Sequence, residues 1–202
     1  MSANEAVANH AYSDNGPRHA IMDVAMHLFG KQGYTGTSMR DIASAVGVLP
    51  GSLYAHIASK EAMLADIVED GINRFLAVVQ PLVASTASPS EKLRAMIIAH
   101  VEVVADNPER SLVVFHQWRF LGESTIQSAI KKRGDYEQAF ISVISEGVSI
   151  EAFRPDLNLR IAVLTILGAL NWSSEWLSPD GKFSPTKVGD LIADTLLTGI
   201  QR

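Results

Sequence analysis

The sequence predicts an all-α protein of about nine helices, and two observations carry that reading. Apolar residues recur at three- and four-residue spacing along most of the chain, and helix-start signals punctuate it repeatedly. Ile21, Ala25, Leu28 and Phe29 form one stripe, and Leu64, Ile67, Val68, Ile72 and Phe75 form a second. Leu93, Ile97, Val101 and Val104 form a third. The two-residue alternation of a half-buried strand is scarce.

Each element follows from local chemistry. A helix over 17–32 stops at Gly33, one over 38–45 opens on Thr37-Ser38, and one over 49–55 follows Gly47. Ser59-Lys60-Glu61 opens a helix over 59–83. Ser88-Pro89-Ser90-Glu91 is a capping box with proline at the first helical position, and starts a helix over 89–106. Asn107-Pro108 and Ser184-Pro185 repeat that start for helices over 108–121 and 185–201. Between them lie helices over 124–150, after Gly122, and over 157–177, with Gly181 in the turn that follows. Ala84 to Ser88 is a short loop.

Composition narrows the function classes. The chain has 202 residues, 47% of them hydrophobic, which is enough for a substantial core. Cysteine is absent, so disulfides, thiolate metal sites and cysteine nucleophiles are excluded. No apolar run reaches the roughly 18 residues that span a bilayer. Residues 1–16 lack a secretory pattern and are expected to form a flexible arm, with the cytoplasm as address. No cofactor or metal is expected: His10, His19 and His27 are not at metal spacing on a common face with carboxylates, and His-Glu-x-x-His, a phosphate loop and Gly-x-Ser-x-Gly are all missing. An enzyme is therefore not expected.

The informative segment runs from Thr37 to His56. Ala43 and Gly47 stand four apart, flanked by Ile42, Val46, Val48 and Leu53. A small residue at 43 lets two helices approach, and glycine at 47 permits the positive φ of a tight turn. This is the helix-turn-helix pattern, whose second helix is free to enter a major groove. Its outward face would carry Leu49, Pro50, Gly51, Ser52, Tyr54 and His56. Tyr54 and His56 suit phosphate oxygens, and Ser52 suits a base edge or a phosphate. Thr37 and Ser38, at a helix N-terminus, would offer amides to a phosphate, Arg40 would reach a base or the backbone, and Lys60 would act as a phosphate cation.

Net charge is −5, and residues 1–60 hold four basic and four acidic side chains. Such a unit must bind by geometry and hydrogen bonding more than by charge density. A helical protein-interaction module is the other reading of that neutrality.

Phe29, Gly33-Tyr34, Thr37-Ser38, Ile42-Ala43, Gly47-Val48, Ser52-Leu53-Tyr54, His56 and Ser59-Lys60-Glu61, in that order, resemble the TetR family of repressors. Leu49-Pro50 departs from the polar pair often found there, and Ile57 stands where phenylalanine is commoner. The resemblance implies a DNA-binding unit over 17–62 and an effector-binding and dimerisation bundle over 63–202. It also implies a homodimer, through helices 157–177 and 185–201, that reads a palindromic double-stranded operator and is released by a small-molecule effector.

Within the bundle, His116, Arg119, Asn171 and Trp172 are the candidates for lining the effector site. Trp118, Trp172 and Trp176 compete as core or interface anchors. Phe153 to Asp156 and Asn171-Trp172 with Glu175-Trp176 resemble, more loosely, regulators of fatty-acid and sterol breakdown that sense acyl-CoA thioesters. A basic mouth for the phosphates would then draw on Arg94, Arg119, Arg154 and Lys131-Lys132-Arg133. The alternative effector is a hydrophobic cation, as in multidrug-sensing repressors of efflux pumps, with Glu175 among the tryptophans.

Overall fold

A computed structural model describes residues 16–178 and 181–201, so the expected arm lies outside the described residues except for Gly16. Nine α-helices follow one another among the described residues. They are α1 (Gly16–Gln32), α2 (Met39–Val46), α3 (Pro50–Leu53), α4 (Lys60–Val83), α5 (Pro89–Asp106), α6 (Pro108–Leu112), α7 (Glu123–Ser149), α8 (Leu159–Trp176) and α9 (Pro185–Ile200).

The start signals work as their chemistry requires. Ser38 and Ser88 close capping boxes with Asp41 and Glu91. Asn107, Asn158 and Ser184 each accept a backbone N–H from the first turn of the helix they precede. These bonds satisfy amides that have no partner inside the helix.

One element departs from expectation. The helix expected over 108–121 stops being α-helical after Leu112, widens into a π-turn over Val113–Gln117, and tightens into a 3₁₀ turn over Trp118–Phe120. Its apolar spacing still reads as helical, so periodicity alone does not reveal the change of pitch. Val114 packs against α4 at Gly71, where a Cβ would stand 2.3 Å from a Val114 methyl. Wide turns of this kind concentrate at functional sites.

The apolar interior is continuous from α1–α3, through α4, into the bundle. Helix α4 serves both ends: Met63 and Leu64 are buried near its start, and Phe75 and Val79 further along. Helix α9 packs on α5, where Gly189 lets the backbones approach and Arg94 reaches both Asp190 and Asp194 at 2.5 Å. The chain end is tied back by a bridge between Phe153 and Gln201. Phe153 is fully buried, and its ring lies where a Cβ on Gly147 would stand, 2.2 Å from the nearest ring carbon.

Gly147→Ala is therefore expected to overpack this site and lower the unfolding free energy by about 1–3 kcal/mol. Urea denaturation with an unchanged m-value checks it; unaltered stability would mean that the ring shifts at no cost.

Candidate nucleic-acid interface and bundle cavity

Gly47 ends α2 at φ +82°, and the N–H groups of Gly47 and Val48 both return to the Ala43 carbonyl at 3.0 Å. That closed turn sets α3 across α2. Pro50 starts α3, and the bonds Ser52 N to Leu49 O and His56 N to Leu53 O carry the helical path to His56. Leu53 and Ile57 point inward and are buried, while Leu49 is 76% and Tyr54 58% exposed. Pro50, Gly51, Ser52, Ala55 and His56 are exposed as well. A short convex rod results, apolar at its tip and hydrogen-bonding along its flank, of a width that a major groove admits.

Around this rod the structure separates the candidates. Arg40 is exposed and forms no ion pair among the described residues. Thr37, by contrast, is buried, and its hydroxyl donates to the carbonyls of Gly33 and Leu28. Ser38 spends its N–H and hydroxyl on Asp41, whose carboxyl those bonds hold below its usual range. An acidic group thus already occupies the α2 N-terminus that was expected to receive a phosphate.

Lys60 requires a similar correction. Its ammonium donates to the carbonyls of Tyr34 (2.9 Å) and Thr37 (2.7 Å) and sits 4.1 Å from the centre of the Tyr34 ring. It ties the 33–38 loop to the start of α4 and is not a free cation facing a phosphate.

Tyr34 is the junction between the two ends of the molecule. Its ring meets Phe29 edge-on and stacks on Phe120, and its N–H donates to Gln117 Oε1 at 3.1 Å. Nearby, His27 meets Glu109 at 2.7 Å. The π-turn and its flanks are therefore bonded directly to the helix-turn-helix unit.

On its other side, the π-turn walls a cavity of about 450 Å³. Ile72 and Phe75 of α4, Val114, Phe115 and Trp118 line it, with Ile130, Arg133, Gly134, Tyr136 and Glu137 of α7 and Leu164, Leu167, Gly168 and Asn171 of α8. Most of this wall is apolar, with a few polar groups converging on it, as a small-molecule site requires. Gly134 and Gly168 stand within their helices where an added Cβ would meet nothing within 4 Å, so their smallness leaves open space.

Of the four residues expected to line the effector site, Asn171 lies in the wall of this cavity. His116 turns away and meets Glu175 at 3.2 Å, so neither faces the cavity. Trp172 is 61% exposed on the outer side of α8. Arg119 is exposed and lies over the Trp118 indole, 5.1 Å from the ring centre, and is not among the residues lining the cavity. Among the cations expected at a basic mouth, Arg94, Lys131, Lys132 and Arg154 pair with carboxylates, and only Arg133 reaches the cavity. The signal for the α7 wall lies in its spacing: Ile130, Arg133, Gly134 and Glu137 share a helix face, with a glycine at its centre.

Behind the wall, His100 is fully buried; its Nδ1 lies 2.8 Å from the Tyr136 hydroxyl, and its ring stacks on Phe115. Burial pulls the imidazole down to about 3, weakly opposed by the Leu170 carbonyl, and pushes the Tyr136 hydroxyl well above its ordinary range. Both groups are neutral when the protein is folded near neutral pH.

Residues 21–67 match the family described as bacterial regulatory proteins, tetR family, and residues 86–200 match the tetracyclin repressor-like C-terminal domain. The chain belongs to the TetR family. Among TetR-type relatives, it is 28% identical over 189 residues to the HTH-type transcriptional repressor KstR2 of Mycobacterium tuberculosis, covering 93% of this chain and 94% of that one. The solved structure of that ketosteroid transcriptional regulator superposes with a TM-score of 0.87 at 26% identity, over 94% of this chain and 97% of that one. The TetR fold also matches AibR, solved in complex with isovaleryl coenzyme A and operator DNA, with a TM-score of 0.78 at 26% identity, over 89% of this chain and 97% of that one. The fatty acid metabolism regulator protein of Bacillus subtilis is 22% identical over 181 residues, 89% of this chain and 93% of that one.

Two outcomes follow. Tyr54→Ala removes an exposed side chain and should abolish DNA binding at unchanged stability, whereas Lys60→Met should cost about 1–3 kcal/mol of stability by orphaning two carbonyls. Thermal melts beside gel shifts separate them; a Lys60→Met protein of full stability would contradict the clamp. His100 should also make folding pH-dependent: its neutral form is favoured when folded, so its contribution is complete above pH 6.5 and declines as pH falls toward 3. The slope should be about 1.4 kcal/mol per pH unit in that window, and His100→Gln should flatten it in denaturation series at several pH values.

Proposed function

We propose that this chain is a ligand-responsive transcriptional repressor that binds a palindromic operator as a homodimer and is released by a small hydrophobic effector, an acyl-CoA thioester. The exposed rod from Leu49 to His56, fastened from behind by buried Leu53 and Ile57, carries the DNA-binding part. Leu49 at its tip suits the methyl groups of thymine, while Ser52, Tyr54, His56 and Arg40 suit base edges and phosphates.

Dimerisation through α8 and α9 is supported by their outer faces. Ile161, Trp172 and Trp176 are exposed along α8, and Leu191 is exposed on α9. An apolar groove between the two helices holds Trp176, Phe183 and Leu191. Apolar surface of this extent normally meets a partner, and an isologous pairing is the commonest solution. To read successive major grooves, the paired chains must hold their reading helices about 34–36 Å apart, one turn of duplex.

The effector class is supported by the apolar cavity and by Arg133 in its wall. It agrees with the isovaleryl coenzyme A found on AibR. A hydrophobic cation is less favoured, because Glu175, the carboxylate expected to receive it, is engaged by His116. Release proceeds through α4, which places Ile72 and Phe75 in the cavity wall and Lys60 in the loop clamp. A coupling of about 1–3 kcal/mol lowers operator affinity roughly 5- to 150-fold.

Selection of bound duplexes from a random library should return inverted repeats, with two chains per site by sedimentation. Octanoyl-CoA added to that complex should release the DNA, and the hydrophobic cation tetraphenylphosphonium should not. Failure to enrich any inverted repeat would refute the operator reading. Saturation of the bundle without loss of DNA would refute the switch.

A further inference from the structure

The bundle handles its buried and half-buried cations consistently, with one departure. Arg110 meets Asp70 and Asp106, Lys92 meets Glu146, and Lys132 meets Glu69. Arg133 is half-buried in the cavity wall and forms no ion pair with any carboxylate among the described residues. Its one hydrogen bond, to the Val114 carbonyl, is long at 3.4 Å. Its guanidinium lies 4.8 Å from the centre of the Trp118 ring, which also carries Arg119.

Two guanidinium groups over one indole repel each other. Burial, and then the like charge of Arg119, pull the Arg133 guanidinium below its ordinary range, with Glu137 acting the other way. Beside them the Trp118 Nε1–H is buried and has no acceptor. This wall is thus rich in donors and under-neutralised, and a desolvated charge kept in that state is costly unless something arrives to pair with it.

We propose that Arg133 is the anion-recognising residue of this cavity, taking a carboxylate or phosphate oxygen of the ligand in exchange for its long bond to Val114. The proposal rests on reading the cavity as the effector site and adds what the effector must carry. The apolar part lies against Phe75, Phe115 and Leu167, and an anionic group lies at the α7 wall next to Trp118. A planar guanidinium suits either anion, because its paired N–H groups match two oxygens at once.

Equilibrium binding to the full-length chain, followed by calorimetry with no DNA present, tests this with four probes that share no more than an apolar portion. They are octanoate, octanoyl-CoA, octan-1-ol and tetraphenylphosphonium. The wild-type chain should bind at least one of the two anions about tenfold or more tightly than octan-1-ol. R133Q should weaken that anion by roughly 10- to 100-fold and leave octan-1-ol within about twofold, with R133K retaining part of the advantage. Tight octanoate identifies a carboxylate as the recognised group, and tight octanoyl-CoA alone identifies a phosphate.

Thermal melts are read first; if R133Q is unfolded at the binding temperature, the ratio of anion to alcohol in R133K decides. Anions bound no better than the alcohol, an advantage unchanged by the substitutions, or a preference for tetraphenylphosphonium would each overturn the proposal. Because operator release is not the readout, a chain that binds anions but no DNA would separate this inference from the repressor reading, and a DNA-bound chain released by the alcohol alone would do the reverse.

Discussion

The arrangement of the whole molecule depends on how the loop at Gly33–Ser38 is held. Its backbone runs between the first helix and the reading unit, and three groups from elsewhere fix it: the Lys60 ammonium on two carbonyls, the Gln117 amide on Tyr34, and the Phe120 ring on the tyrosine face, while the loop's own Thr37 hydroxyl bonds Gly33 and Leu28. Buried carbonyls demand donors, and here the donor is the first residue of the long helix that also walls the cavity. The reading head is thereby mounted on the bundle, so displacement of α4 or of the π-turn is passed on directly.

Much of the fold was legible because its cues are local. A serine or asparagine before proline, or a serine three residues before a carboxylate, specifies a helix start without reference to anything distant, and the bounds at Ser88, Asn107 and Ser184 follow. The π-turn was not legible, since the apolar spacing of 108–121 is that of a regular helix and the contact made there, Val114 against Gly71, joins residues distant in sequence. The exposure of Leu49, Ser52, Tyr54 and His56 followed from the helix-turn-helix pattern around Ala43 and Gly47. The actual roles of Thr37, Ser38 and Lys60 did not, because hydroxyl and ammonium groups look alike in sequence whether they face solvent or satisfy a neighbouring carbonyl.

The cavity shows the same divide. Asn171 of the expected residues falls in the wall, but a side of it that was not expected comes from α7, whose charged run resembles a solvated face. Lys131 and Lys132 do behave that way, reaching Asp135 and Glu69. Arg133, one residue further round the helix, turns inward instead. An angular step of one residue thus divides solvent-facing charges from a charge inside the site, a distinction that only packing reveals. His116, Arg119 and Trp172 were chosen for residue type, and each proved to lie on the outer side of its element.

Gly134 and Gly168 are the two positions where the cavity is wide because side chains are missing and not because the backbone demands it. Both sit within helices, where glycine is a poor choice on intrinsic grounds and alanine is better by about 0.5–1 kcal/mol. Bulk can therefore be added at either site without straining the scaffold or touching the reading head. If the cavity receives the effector, as proposed above, homologous chains that differ there by a methyl, an isopropyl or a ring would accept progressively shorter guests on an unchanged frame, and the identity of the sensed molecule could drift while the DNA address stays fixed.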